Sequence, residues 1–144
     1  MTEEESNQFQ IWLMDMDEAI ERFQRLLPSE LQGQLDYSPE SLGVVESFGL
    51  AKYSTVGQAL EQSEAAIVDG MARHVGEVFR RRLGGKWVID YSDKNNVFYA
   101  LPQLVGMAGQ KTQCCPLTLV TASLDRRTGR FIRLVFDNYL RNAV

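Results

Sequence analysis

The sequence predicts an α+β domain, with N-terminal amphipathic helices packed on a small antiparallel sheet and a further helix at the C-terminal end. Apolar residues from Phe9 to Leu27 recur at helical spacing. After Gly84 and Gly85 the pattern changes to runs rich in β-branched and aromatic residues, KWVIDYS and VFYAL. The 144 residues, 44% hydrophobic and 24% charged, suit a single globular domain that needs neither metal nor disulfide to fold.

Residues 1–6, mostly acidic, are expected to be disordered. Trp12, Leu13, Met16, Ala19, Ile20, Phe23, Leu26 and Leu27 then share one face of a single helix that Pro28 ends. Asp15, Asp17, Glu18 and Glu21 cover its other side. A second helix starts at Ser38, a good N-cap, with Pro39 in the first position, where a missing N–H is no loss. Gly43 and Gly49 weaken it by about 1 kcal/mol each relative to alanine, unless they let a neighbour approach. A third helix runs from Val56 or Gln58 to Leu83, where Gly84–Gly85 supplies the left-handed stop. Arg80, Arg81 and Arg82 sit in its last turn, where cations favour the helix dipole.

Beyond the glycines, residues 86–91 are expected to pair with 97–101 as a hairpin around the turn residues DKNN. PQLVGMAGQKTQ reads as a loop with a short helical turn. Residues 117–136 fit either two strands around Asp-Arg-Arg-Thr-Gly or a helix from Pro116 that breaks near Gly129. The spacing of Phe131, Ile132, Val135, Phe136, Tyr139 and Leu140 favours a final helix to Asn142.

No run approaches the roughly 20 apolar residues of a membrane-spanning helix. The opening MTEEESNQF is acidic where an export signal is basic and then apolar, so a cytoplasmic location is expected. Cys114 and Cys115 are adjacent, a spacing that suits neither a disulfide nor a zinc site, and are expected as free thiols. Charge is divided unevenly. Residues 1–69 hold fourteen acids and three bases, for −11, and residues 70–144 hold five acids and twelve bases, for +7.

Motifs for chemistry are sparse. His74 and Glu77 share a helix face, but this is the only histidine in the chain, which excludes His-Glu-x-x-His and paired Glu-x-x-His metal sites. No Gly-x-Ser-x-Gly nucleophile turn occurs, and LGGKW lacks the outer glycine and the hydroxyl of a phosphate loop. GMAGQK is too short a pattern to define an anion cradle. Asp15, Asp17 and Glu18 lack the central glycine of a calcium loop. No catalytic residue, metal or cofactor is therefore expected. The enzyme or small-ligand alternative rests on a pocket near His74, Glu77 and Trp87. The basic residues offer more: Arg73 with Arg80, Arg81 and Arg82, and Arg126, Arg127, Arg130 and Arg133, form two clusters suited to an interaction face. An acidic chain with pI near 5.0 argues against nucleic acid as a target, and no membrane contact is expected.

GEVFRRRLGGKW, residues 76–87, resembles a helix-to-strand corner found in several families of short bacterial domains. CCPLTLVTASLDRRTGRF, residues 114–131, is similar to their proline-started segment ending in Arg-Arg-Thr-Gly. The resemblance brings no catalytic residues with it. In size and acidity the chain is also similar to immunity proteins that neutralise bacterial toxins. The functional expectation is a non-enzymatic bacterial interaction domain that binds another protein or itself, with a toxin-neutralising role as its narrowest form.

Overall fold

A computed structural model describes residues 1–143. The first helix, α1 (Glu3–Met14), is held by a capping box. Thr2 Oγ1 accepts from the Glu5 N–H at 3.0 Å, and the Glu5 carboxylate accepts from the Thr2 N–H at 2.8 Å. That box orders residues the sequence leaves as disordered. One continuous helix to Leu27 was expected; Asp15 instead separates α1 from α2 (Met16–Gln24). The bend lets Trp12 meet Trp87 edge-on while Ala19, Ile20 and Phe23 bury on the other side.

After the short α3 (Ser29–Gln32) comes α4 (Glu40–Lys52), and Ser38 Oγ accepts from the Ser41 N–H at its start, as the sequence predicts. The expected third helix is divided. A single turn, α5 (Val56–Ala59), and a 3-10 turn (Gln62–Glu64) precede α6 (Ala65–Leu83). Helix α6 ends where Gly84 takes φ +80°. Residues 71–79 are buried without interruption, so α6 is the axis on which α2, α4 and the two C-terminal helices pack. A Cβ on Gly76 would lie 2.2 Å from the Trp87 ring and 2.9 Å from Pro116, so only glycine lets both cross α6 here.

The sheet is smaller than predicted and differently paired. Strand β1 (Lys86–Val88) runs antiparallel to β2 (Gln103–Val105), with Trp87 opposite Leu104. Leu104 also exchanges both backbone hydrogen bonds with Cys114. Residues 97–101 form turns instead of a strand. Asp90 accepts from the Ser92 N–H, the Ser92 hydroxyl and Asn96 Nδ2, while Asp93 accepts from the Asn95 N–H. The N–H groups of Phe98, Tyr99 and Leu101 in turn bond locally to Asn96 Oδ1, the Asn96 carbonyl and the Phe98 carbonyl, and these bonds displace the ladder that the aromatic composition suggests. The helices pack chiefly on α6, and the two strands sit at one end of it. The fold is thus α+β with helix dominant.

The last third is helical, as α7 (Pro116–Arg126) and α8 (Phe131–Asn142). Arg127, at φ +57°, and Gly129, at φ +77°, turn the chain between them. The Arg127 guanidinium donates to the carbonyls of Tyr53 and Leu50, both at 3.0 Å, and so caps the end of α4. At the start of α8, the carboxylate of Glu46 accepts from the N–H groups of Phe131 at 3.1 Å and Ile132 at 2.9 Å. Glu46 lies on α4 and is wholly buried.

Removing that carboxylate strands two N–H groups, one fully buried, at about 1–3 kcal/mol per unsatisfied group. Glu46→Ala is therefore expected to lower the unfolding free energy in urea by about 2–4 kcal/mol. The adjacent exposed Ser47→Ala should change it by no more than about 0.5 kcal/mol.

Candidate functional site

His74, Glu77 and Trp87 do not share a pocket. His74 is wholly buried, stacked on Tyr37 at 5.1 Å between ring centres, with its Nε2 2.9 Å from Ser41 Oγ. The Ser41 hydroxyl lies 2.6 Å from the Ser38 carbonyl and gives its one proton there, so His74 Nε2–H is the donor in the pair. That leaves Nδ1 as a bare acceptor with no protein partner. Ser41 is also wholly buried, so the pair resembles a nucleophile and base only in its spacing, and no substrate reaches it. Burial, reinforced by the Arg81 guanidinium and opposed by Asp36 and Glu77, pushes the imidazole down to about 4.

Glu77 is equally committed. Arg80 donates to it from two nitrogens at 2.7 and 2.9 Å, and Trp87 Nε1 donates at 2.9 Å. Burial alone would raise this carboxyl, but the bonds from Arg80 and Trp87 prevail and hold it below its usual value. Glu77 and Trp87 line a shallow hollow with Arg80, Lys86 and Asp17, to which His74 contributes nothing.

The expected arginine face is likewise dispersed. Arg73 is buried, with Nε donating to Asp69 at 2.6 Å and Nη1 donating to the Trp12 carbonyl at 2.7 Å. Arg81 stacks on Tyr37 at 3.6 Å, and Arg82 donates to the Tyr37 carbonyl. With Arg80 on Glu77, Arg127 on α4 and Arg133 on Asp137, six of the eight candidate interaction arginines are bound within the fold. Only Arg126 and Arg130 remain unengaged by carboxylates or carbonyls among the described residues. They share a hollow with Arg133, far along the chain from Arg80.

Trp87 also lines a separate concavity. A cleft of about 230 Å³ is walled by Trp12, Trp87, Pro102, Pro116 and Leu117. Leu60, Ala65 and Val68 close the opposite side, and Glu61 and Gln62 stand at the rim. Both indoles are fixed. Trp12 Nε1 donates to Asp69 at 3.0 Å, the Arg73 guanidinium lies 4.2 Å from its ring centre, and Trp87 meets its edge at 5.0 Å. Asp69 is occupied in turn by Arg73, so the polar groups inside the cleft are already paired. Leu60 is 65% exposed at the mouth.

Sequence reasoning placed Trp12 on a core-facing stripe and passed over Asp69. The available signal was Asp69 and Arg73 at a spacing of four, together with only two tryptophans in the chain. Cys114 and Cys115 are buried free thiols, and burial pushes Cys114 up to about 12, so neither is a ready nucleophile. Among the described residues no three His, Cys, Asp or Glu side chains gather as a metal site, and no helix is long and apolar enough to cross a membrane. Comparisons with protein-family models, curated proteins and solved structures return no match.

The buried imidazole sets a pH dependence. Above pH 6.5 His74 is neutral in both folded and unfolded chains and contributes nothing. As pH falls below 6.5 the unfolded chain takes up a proton that the fold refuses, so stability declines until about pH 4. The full loss is about 3 kcal/mol at 1.36 kcal/mol per pH unit. Urea melts between pH 7 and pH 4 should show that decline in the wild type and a shallower one in His74→Gln.

Proposed function

We propose that the protein is a non-enzymatic interaction domain that receives an apolar side chain of a protein partner in the Trp12–Trp87 cleft. The observation that carries this reading is the pinning of both indoles by carboxylates, Trp12 by the half-exposed Asp69 and Trp87 by the buried Glu77, around an otherwise apolar opening. Such a cleft is ready for an apolar group but presents nothing to activate a nucleophile or move a proton. Its volume, about 230 Å³, exceeds the roughly 150 Å³ that accepts benzene and falls below the roughly 300 Å³ at which small-molecule sites begin. That size suits one large side chain, the kind of anchor that dominates protein interfaces. The enzyme alternative loses its base, because His74 is sealed and Glu77 is held by Arg80 and Trp87.

A cytoplasmic setting goes with this reading and is supported by the two free buried cysteines. The bacterial, toxin-neutralising form rests on the resemblance of size and charge alone, and it requires a one-to-one complex. The test is capture of a partner by the tagged protein, followed by its affinity for variants. Ala65→Trp, which plugs the cleft, and Leu60→Arg, which charges its mouth, should each weaken binding at least tenfold, about 1.4 kcal/mol. Lys94→Glu, at an exposed position outside the cleft, should leave it unchanged. A partner indifferent to both cleft variants, or a bound small molecule in native mass spectra, would overturn the proposal.

A further inference from the structure

Among the described residues, Arg126 and Arg130 are the only arginines whose side chains make neither a hydrogen bond nor an ion pair. The others are engaged by Asp15, Glu21, Asp69, Glu77, Asp137, Asn138 or backbone carbonyls. These two face one shallow hollow of about 620 Å³ between α7 and α8. Their company there is specific. The Arg126 guanidinium lies 4.8 Å from the centre of the Phe131 ring, which orients it. Arg133, in the same wall, is steadied by Asp137 at 2.9 Å and by Glu40 at 3.8 Å. Leu134 stands among them, 57% exposed.

Two unpaired guanidiniums, a third paired with Asp137 and Glu40, and an exposed leucine make a surface that is both cationic and apolar. We propose that this hollow is a second docking surface, for an acidic segment of a protein partner that also carries an apolar side chain. Carboxylates would bridge Arg126 and Arg130 through paired N–H donors, and the apolar residue would cover Leu134. A polyphosphate backbone fits less well. The chain carries a net charge of −4, Asp137 and Glu40 stand at the hollow, and the leucine would gain nothing from phosphates. This surface is separate from the Trp12–Trp87 cleft and does not depend on it.

The probe is a fluorescein-labelled peptide of glutamates with one leucine, followed by anisotropy at low and moderate salt. The wild type should bind it saturably, and more weakly as salt rises. Arg126→Glu with Arg130→Glu should lower affinity at least tenfold, and Leu134→Ser several-fold. Lys94→Glu with Lys111→Glu, the same charge change outside the hollow, should leave binding within twofold. Ala65→Trp should also leave it unchanged, which separates this surface from the cleft. Circular dichroism shows whether each variant folds; all the altered side chains are exposed and none holds an ion pair. Absence of saturable binding, equal loss in the two charge-reversed doubles, or tighter binding of an oligothymidylate would each overturn the proposal. So would a peptide that fails to bind Ala65→Trp.

Discussion

The constraint on which the structure depends is the burial of α6 on all sides from Met71 to Phe79. A helix so enclosed must be apolar or must satisfy its polar residues inside the protein, because an unpaired polar group there costs about 1–3 kcal/mol. Three polar residues fall in that stretch, and each is answered by a different neighbour. Arg73 binds the Trp12 carbonyl of α1, His74 binds Ser41 of α4, and Glu77 binds Trp87 of β1. These bonds set the rotation of α6 relative to three separate elements. Hydrophobic contact alone is less particular about such angles.

The same bonds shape the cleft. Arg73 and Asp69 hold Trp12 from beneath, and Glu77 holds Trp87, so neither indole must be ordered when a ligand arrives. Gly76 completes the arrangement by letting Trp87 and Pro116 meet across the helix. Rigidity of this kind lowers the entropy lost on binding and raises affinity without adding contact area. The hollow of Arg126 and Arg130 is of another type: shallow and charged, with Arg126 set over Phe131 and Arg133 held by Asp137.

Periodicity made most helices legible, together with the glycine stop after Leu83 and the capping chemistry of Ser38. Breaks within a continuous apolar pattern were not legible. Asp15 divides α1 from α2 without interrupting the stripe, and nothing between Leu60 and Ala65 announces a 3-10 turn. The hairpin failed because the N–H groups of Phe98, Tyr99 and Leu101, which a ladder would have used, bond locally to Asn96 and Phe98. For the candidate sites the limit was charge. A row of arginines reads as a basic face, yet Arg73 points inward, Arg127 lies back on the carbonyls that end α4, and Arg80 is spent on Glu77. Only a partner distant in sequence, such as Trp12 or Leu50, decides which cation reaches solvent.

The Glu46 contact has a bearing on how the chain folds. The carboxylate that starts α8 lies 85 residues before the first N–H it accepts from. Closing a loop of that length carries a large entropic barrier, and the reward comes only once α4 is already in place. Helix α8 is thus a late addition, its first turn templated by an earlier helix and not nucleated by its own sequence. The stretch from Phe131 onward would then be the last to gain amide protection as the protein refolds.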